Sequence, residues 1–306
     1  MQKNLSKNII KPAKTEKNNS ILLITYISFS LLISWSGQFY AFSEVNKGHS
    51  LSILLSLLLS SWGPFFIALL LIIIYRMPSH LLCLIPKINK KIFWAIVTPL
   101  FVSAVGLQFS INFSQIFYQS TDAPLFLVGN SVFSALHLFL ANPAAIIIFT
   151  CIFAIGLEVQ FRGFLLELLQ QQKLQNVWFY SGIIQFVSFF PFIWFGYFGG
   201  SSNNIYYTLL LALVFISHSG FLFWLSTFVD FVNKNQMNVN NKRETERSLL
   251  MPMVSSCLFY TIYFFVTVKF FVENGNMWMS GPANGITVMI QSIITIFLLM
   301  TKMLKY

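Results

Sequence analysis

The sequence predicts an all-α, polytopic membrane protein of about eight transmembrane helices. Hydrophobic residues make up 56% of the 306 residues, whereas Asp, Glu, Lys and Arg together make up only 9%. A soluble domain of this length cannot bury so much apolar surface. The apolar residues also fall into long stretches that short basic or polar segments separate, and this pattern is typical of a membrane helical bundle.

Residues 1–20 are polar and contain five lysines, so we expect a disordered cytoplasmic tail. Residues 21–303 are predicted to form a single transmembrane domain. The first apolar stretch is longer than the apolar part of a signal peptide and no A-x-A cleavage site follows it, so we expect it to be retained. The eight predicted spans, each near the roughly 20 residues that cross a bilayer, cover residues 21–42, 51–75, 92–118, 143–169, 177–198, 205–232, 249–271 and 283–303.

The basic residues predict the orientation of these spans. Nearly all of the 19 Lys and Arg residues lie in the tail or in alternate connections between spans. By the positive-inside rule, both termini are expected in the cytoplasm, and the protein is expected in the cell (inner) membrane. The net charge of +10 does not indicate nucleic-acid binding, because the basic residues are dispersed and do not form one face. The expected partner is the lipid bilayer.

The cysteines do not predict a covalent or zinc-stabilised framework. Cys83, Cys151 and Cys257 lie far apart and form no CxxC pair. An odd number of widely spaced cysteines indicates neither a disulfide framework nor a structural zinc site.

A charged pair interrupts the fourth predicted span. Glu158 and Arg162 lie in the stretch GLEVQFRGFLLELLQ, residues 156–170, and their spacing of four places them on one helical face. A charge in the membrane costs several kcal/mol unless it is paired, so such a pair is a candidate functional site. The alternative is an ion pair that only locks the helix to its neighbours.

This region resembles a known family. The run from Leu157 to Gly163 resembles the first motif, E-E-x-x-x-R-G, of the CPBP intramembrane metalloproteases, also called the CAAX protease and bacteriocin-processing or Abi family. Trp62-Gly63-Pro64 resembles the Gly-Pro opening of that family's second span. The resemblance covers residues 21–303 and implies a CAAX-protease-like bundle. In that family, glutamates of the first motif and histidines of two later motifs hold or activate a water, with or without a metal, to attack a peptide carbonyl.

The chain departs from the family's pattern at its reactive positions. Glu158 corresponds to the second glutamate of the first motif, and Leu157 replaces the first. The second motif, F-x-x-x-H, aligns with residues 186–190 and has Phe190 in place of its histidine. The third, H-x-x-x-N, has Cys257 and Thr261 in place of His and Asn. No metal site is therefore predicted, and zinc or another divalent metal is expected only if the peptidase site works.

His218 is the only histidine well inside a predicted span. It is either a relocated base or ligand near Glu158, with Cys257 as a further ligand for a soft metal, or a neutral core histidine. Glu167 is nine residues from Glu158 and is expected on the opposite helical face.

The resemblance and its departures leave three functions open. The first is a degenerate peptidase with a binding or scaffolding role toward a membrane protein or a lipidated peptide. The second is an active intramembrane peptidase with a rearranged site, in which Glu158, Arg162 and His218 are the catalytic candidates. The third is a transporter with the charged pair on a polar pathway.

Overall fold

The computed structural model describes residues 13–45, 47, 50–78, 82, 90–113, 143–194, 205–227, 247–270, 285–301 and 304. These residues are almost entirely helical, so the all-α class is confirmed. The elements are α1 (Ala13–Val45), α2 (Ser50–Tyr75), α3 (Ile92–Phe113), α4 (Pro143–Glu158), a π-helix (Val159–Phe164), α5 (Leu165–Gln171), α6 (Val177–Ser188), α7 (Phe190–Trp194), α8 (Ile205–Ser226), α9 (Leu250–Phe270) and α10 (Gly285–Met300).

The helices have the apolar surfaces of a membrane protein. In the described part of the chain, four helical stretches are long and apolar enough to cross a bilayer, and four more are apolar but shorter. Large apolar side chains point outward on these helices; for example, Ile73 is 71% exposed and Met300 is 77% exposed. Such surfaces suit lipid and not water. The membrane class is therefore supported, while the count of eight spans and the CAAX-protease-like arrangement stay predictions.

Two predicted boundaries differ from the observed helices. Helix α1 begins at Ala13, inside the segment predicted as a tail, and residues 1–12 lie outside the described residues. The predicted span 177–198 is not one continuous helix, because α6 ends at Ser188 and α7 begins at Phe190. Pro191 has no backbone N–H for the carbonyl of Val187, four residues earlier, and its ring would clash with that carbonyl in a regular helix. A break next to this proline is the physical result.

Side chains of α1 satisfy the backbone groups at this break. The Trp35 indole N–H donates to the carbonyl of Val187 at 2.9 Å. The Gln38 amide bridges the break, donating to the carbonyl of Ser188 at 2.7 Å and accepting from the N–H of Phe192 at 3.3 Å. A broken helix is tolerated at membrane depth when its free backbone groups find such partners.

The Gly63-Pro64 pair lies inside α2, within the predicted span 51–75. Pro64 lacks the N–H that the carbonyl of Ser60 would bind in a regular helix. The Ser34 hydroxyl donates to that carbonyl at 3.0 Å instead. The proline thereby creates an acceptor that joins α2 to α1.

Glycines bring several helix backbones into direct contact. A Cβ atom on Gly37 of α1 would lie 2.8 Å from the Ser56 carbonyl oxygen of α2, and one on Gly182 of α6 would lie 2.7 Å from Cα of Ile216 in α8. Each distance is too short for a real Cβ. Small residues at such crossings are a common way for membrane helices to associate, because lipid leaves little hydrophobic force between them.

Contacts gather several basic segments at one end of the bundle. Ser20 of α1 donates to Gln172, next to Lys173, at 2.8 Å. Lys91, just before α3, donates to the carbonyls of Trp224 and Thr227 at the end of α8. The predicted orientation of the spans places these basic connections on one side of the membrane, so it requires them to lie at the same end of the bundle. The cytoplasmic location of this end stays a prediction.

Candidate functional site: a buried charged pair beside a π-helix

Glu158 and Arg162 form the predicted pair within the bundle. Glu158 is the last residue of α4 and Arg162 lies in the π-helix. Nε of Arg162 is 3.5 Å from Oε2 of Glu158, and both side chains are 1% exposed. The spacing of four residues thus produces a contact between opposite charges, as expected. Pairing reduces the cost of burying each charge, although it does not remove it.

The π-helix is held by neighbouring helices. Its hydrogen bonding is wider than that of an α-helix, since the N–H of Leu165 reaches back five residues to the carbonyl of Gln160. The Ser181 hydroxyl of α6 donates to the carbonyl of Phe161 at 3.1 Å, and the Tyr26 hydroxyl of α1 donates to that of Gln160 at 3.5 Å. Short π-helices are rare and often occur at functional sites. This one sets the direction of the Arg162 side chain.

Helix α9 supplies the hydrogen-bond donor for the carboxylate. The hydroxyl of Ser256 donates to Oε1 of Glu158 at 2.7 Å. Cys257, aligned with a motif histidine, instead donates to the carbonyl of Cys151 at 3.8 Å. Thr261, aligned with the motif asparagine, lies 2.6 Å from Thr150 between hydroxyl oxygens. The third-motif positions therefore face α4, but the residue that binds Glu158 is the one before the aligned cysteine.

The second-motif alignment does not bring Phe190 to the charged pair. Its half-buried ring contacts Phe186 and Trp194, with centroids 6.4 and 5.6 Å away. Phe189 is the buried residue, and it stacks on Phe215 of α8 with centroids 5.5 Å apart. The helix break at Phe189 turns these adjacent rings in different directions. Leu157, in place of the first glutamate, is a fully buried side chain of the apolar core.

Gln185 and Tyr260 extend the polar surroundings of the pair. Tyr260 lies near Gln185 and the charged pair, and its ring contacts that of Phe153 of α4 with centroids 5.7 Å apart. Both Gln185 and Tyr260 are buried. Gln185 belongs to α6 and is five residues before the position that the motif alignment selected. Helix α6 thus supplies a polar side chain, Gln185, but not at the position aligned with the motif histidine.

His218 does not join the carboxylate directly. Its ring stacks on Phe259 with centroids 4.8 Å apart. It lines a small apolar cavity, with room for about one water molecule, together with residues including Phe221, Gln291 and Ile294. Oε1 of Glu158 accepts from Ser256, and Oε2 has no hydrogen-bond partner in the described structure. No hydrogen bond joins His218 to Glu158 among the described residues.

Arg162 has more donors than its surroundings use. None of its three guanidinium nitrogens has a hydrogen-bond partner within the described residues. A guanidinium carries five N–H donors in a planar fork, which suits carboxylate and carbonyl oxygens. The side chain is 1% exposed, so an oxygen ligand would reach these donors only if the surrounding helices moved apart.

No cluster of metal ligands surrounds the pair. In the ranges that the structure describes, no three His, Cys, Asp or Glu side chains lie close enough together to hold a metal ion. Glu167 pairs with Arg247. The site's chemistry consists of one carboxylate, one guanidinium and hydroxyl or amide groups.

The residues that sequence reasoning missed are Ser256, Gln185, Tyr260 and Cys151. Their only signal was a polar or thiol side chain inside an apolar span, and such residues often mark helix contacts in membranes. Comparisons of the chain with family models, with curated proteins and with solved structures found no match.

Proposed function

We propose that this integral membrane protein has a scaffold like that of the CPBP intramembrane proteases, lacks their hydrolytic chemistry, and binds a membrane protein or a lipidated peptide. The proposal rests on the contacts that the Glu158 carboxylate makes. Its carboxylate is held by Ser256 and lies beside Arg162, and no described imidazole hydrogen-bonds to it.

Hydrolysis of a peptide bond needs a base that takes a proton from water and a group that stabilises the oxyanion. The Glu158 carboxylate already accepts from Ser256 and lies beside the Arg162 guanidinium. The residues aligned with the family's histidines are Phe190 and Cys257, and neither hydrogen-bonds to Glu158. The site therefore offers an oxyanion-binding group without an evident base.

A binding role uses the groups that remain. The unpartnered N–H donors of Arg162 suit the carboxylate or a backbone carbonyl of a peptide. The apolar outer faces of the helices provide contact area for a lipid chain or a transmembrane partner. Charge recognition and apolar contact together would select a lipidated peptide with a free carboxyl terminus.

Two fluorescent peptides test the binding role. A farnesylated peptide with a free carboxyl terminus and its carboxyl-amidated form would be titrated against the purified protein in lipid nanodiscs. We expect saturable binding of the first and about tenfold weaker binding of the second, or about 1.4 kcal/mol. Arg162→Lys keeps the charge but removes the planar fork, and it should reduce this discrimination. Equal, non-saturable partition of both peptides would contradict the proposal.

The same samples test for catalysis. Mass spectrometry of the peptides after incubation should show no cleavage by the wild type. Cleavage that disappears in both Glu158→Gln and His218→Phe would instead establish the rearranged peptidase.

One observation favours transport as a second candidate. The π-helix interrupts regular α-helical geometry beside the charged pair, and α6 breaks at Phe189. Discontinuous helices at membrane depth form the binding sites of many transporters. Proteoliposomes that contain a pH-sensitive dye would test this candidate. A proton flux abolished by Glu158→Gln would support it, and a flux equal to that of empty liposomes would count against proton transport.

A further inference from the structure

The π-helix leaves a backbone carbonyl that a side chain from another helix satisfies. The N–H of Leu165 reaches back five residues to the carbonyl of Gln160, whereas α-helical bonding reaches back four. Where the wider bonding gives way to the regular bonding of α5, one carbonyl is passed over by the backbone N–H groups. The carbonyl after that of Gln160 belongs to Phe161, and the Ser181 hydroxyl of α6 donates to it at 3.1 Å.

Packing of α6 on α8 holds the Ser181 hydroxyl at this carbonyl. The adjacent Gly182 lies so close to α8 that a Cβ atom would be 2.7 Å from Cα of Ile216. The Ser219 hydroxyl of α8 also donates to the carbonyl of Trp178 in α6 at 2.8 Å. The donor that completes the π-helix therefore depends on a helix contact that is distant from the π-helix in sequence.

The wide turn determines which way Arg162 points. Each residue of an α-helix is turned by about 100° from the one before it, so moving the extra residue from before Arg162 to after it would turn this side chain by about that angle relative to α4. The adjacent Gly163 lacks a side chain, and a Cβ atom there would lie 2.9 Å from the carbonyl oxygen of Leu82. The backbone at this position can therefore turn without driving a side chain into its neighbour.

We propose that the π-helix is a two-position switch for Arg162, and that Ser181 holds it in the closed position. In that position the guanidinium lies beside Glu158, is 1% exposed and donates no hydrogen bond within the described residues. When α6 withdraws, the Phe161 carbonyl loses its side-chain donor. The extra residue then moves toward α5, where a backbone N–H takes up that carbonyl, and Arg162 turns away from Glu158.

The released position gives the guanidinium access to an oxygen ligand from outside the chain. Its five N–H donors in a planar fork suit a carboxylate or a carbonyl oxygen, and Glu158 keeps its hydrogen bond from Ser256. The identity of this ligand as the carboxylate of a peptide rests on the proposed function. The dependence of the π-helix on Ser181 does not rest on it.

A double-mutant cycle tests the link between Ser181 and the wide turn. Deletion of Val159 removes the extra residue, so the Phe161 carbonyl should accept from a backbone N–H. We expect Ser181→Ala to lower the thermal unfolding midpoint by about 2–4 °C in the full chain and to have almost no effect in the deletion variant. Ser219→Ala is the matched control, because this buried hydroxyl also donates to a backbone carbonyl of a neighbouring helix; it should cost the same in both backgrounds. An equal loss from Ser181→Ala in both backgrounds would overturn the proposal.

A chemical measurement on chains of full length removes any dependence on how the deletion variant folds. Phenylglyoxal should modify Arg162 about fivefold faster in Ser181→Ala than in the wild type, because loss of one hydrogen bond favours the released position. Peptide mass spectrometry would read the modification, and Ser219→Ala should match the wild type. An unchanged rate in Ser181→Ala would refute the switch.

The farnesylated peptide with a free carboxyl terminus separates this proposal from the proposed function. It should bind Ser181→Ala about fivefold more tightly than the wild type, and it should protect Arg162 from phenylglyoxal. Faster modification of Arg162 without binding of the peptide would support the switch and overturn the proposed function. Equal binding to both proteins, with an unchanged rate of modification, would overturn the switch and support the proposed function.

Discussion

At the residue scale, Arg162 and Glu158 depend on each other for burial. Each is 1% exposed, and the ionic contact between them is 3.5 Å long. Removing one partner would leave an uncompensated charge inside the bundle, whereas removing both would leave only neutral groups. The pair is therefore a constraint on stability whatever else it does.

We predict that Glu158→Gln destabilises the protein by about 3–5 kcal/mol, because it leaves the Arg162 charge unpaired. The double change of Glu158→Gln with Arg162→Gln should cost less than the sum of the two single changes. Unfolding in detergent, followed by tryptophan fluorescence, would measure all four proteins. Additive effects would show that the two side chains do not interact.

Ser256 supplies a hydrogen bond to an ionised group, which is stronger than one between neutral groups. We expect Ser256→Ala to cost about 1.5–3 kcal/mol in the same unfolding measurement. Ser36→Ala is a matched control, because the exposed Ser36 hydroxyl only donates to Leu32 in its own helix. The control should change stability by less than about 0.5 kcal/mol. Equal effects of the two changes would refute a special role for Ser256.

At the element scale, single side chains close the ends and breaks of helices. Lys91 donates to the last carbonyls of α8 and lies over the Trp224 ring, 4.8 Å from its centroid. Free carbonyls at a helix carboxyl end attract a cation. The beginning of α3 is thereby attached to the end of α8.

Lys91→Met should therefore destabilise the protein by about 1–3 kcal/mol, since it removes charge-assisted hydrogen bonds at that helix end. Lys90 is adjacent and exposed, so Lys90→Met is the control, and we expect almost no effect from it. Thermal unfolding of both variants provides the comparison. A larger loss of stability from Lys90→Met than from Lys91→Met would contradict the role assigned to Lys91.

Gly182 limits the distance between α6 and α8. Gly182→Val would bring side-chain atoms against the backbone of Ile216, and the resulting overpacking should cost about 1–3 kcal/mol or more. Ala104→Val adds volume on an exposed face of α3 and should be tolerated. The yield of monodisperse protein on size-exclusion chromatography would distinguish the two. Normal yield of the Gly182 variant would show that the crossing can widen freely.

Much of the helical structure could be predicted from the lengths of the apolar stretches and the spacing of the charged residues. The eight apolar stretches correspond to described helices, and the spacing of Glu158 and Arg162 placed them in contact. The π-helix could not be predicted, because it depends on donors from α1 and α6 that are far away in sequence. Ser256 could not be predicted for a related reason: a shift of one residue turns a side chain by about 100° around a helix, and the motif resemblance points to Cys257 instead.

At the scale of the whole molecule, the contacts arrange the helices so that several basic segments lie together. Ser20, Lys91 and Gln172 all take part in contacts at this end. If the positive-inside rule holds, this end faces the cytoplasm. The orientation is open to a direct test.

Reporter fusions would provide that test. Green fluorescent protein fused after Lys173 should fluoresce, and alkaline phosphatase fused at the same position should be inactive, because we expect that connection to be cytoplasmic. Fusions after Glu44 should give the opposite result. The reverse pattern at both positions would invert the proposed topology.

The π-helix also has a consequence for the gene. Widening a helical turn takes up about one residue more than an uninterrupted α-helix, so residues after Phe164 are turned by about 100° from the direction that a regular helix would give them. Loss of a single codon between Val159 and Phe164 could restore regular geometry locally. It would leave Glu167 directed toward Arg247, because the deletion removes the residue that the wider turn takes up. Loss of two codons would turn α5 by about 100°, and it should therefore be far more damaging than loss of one.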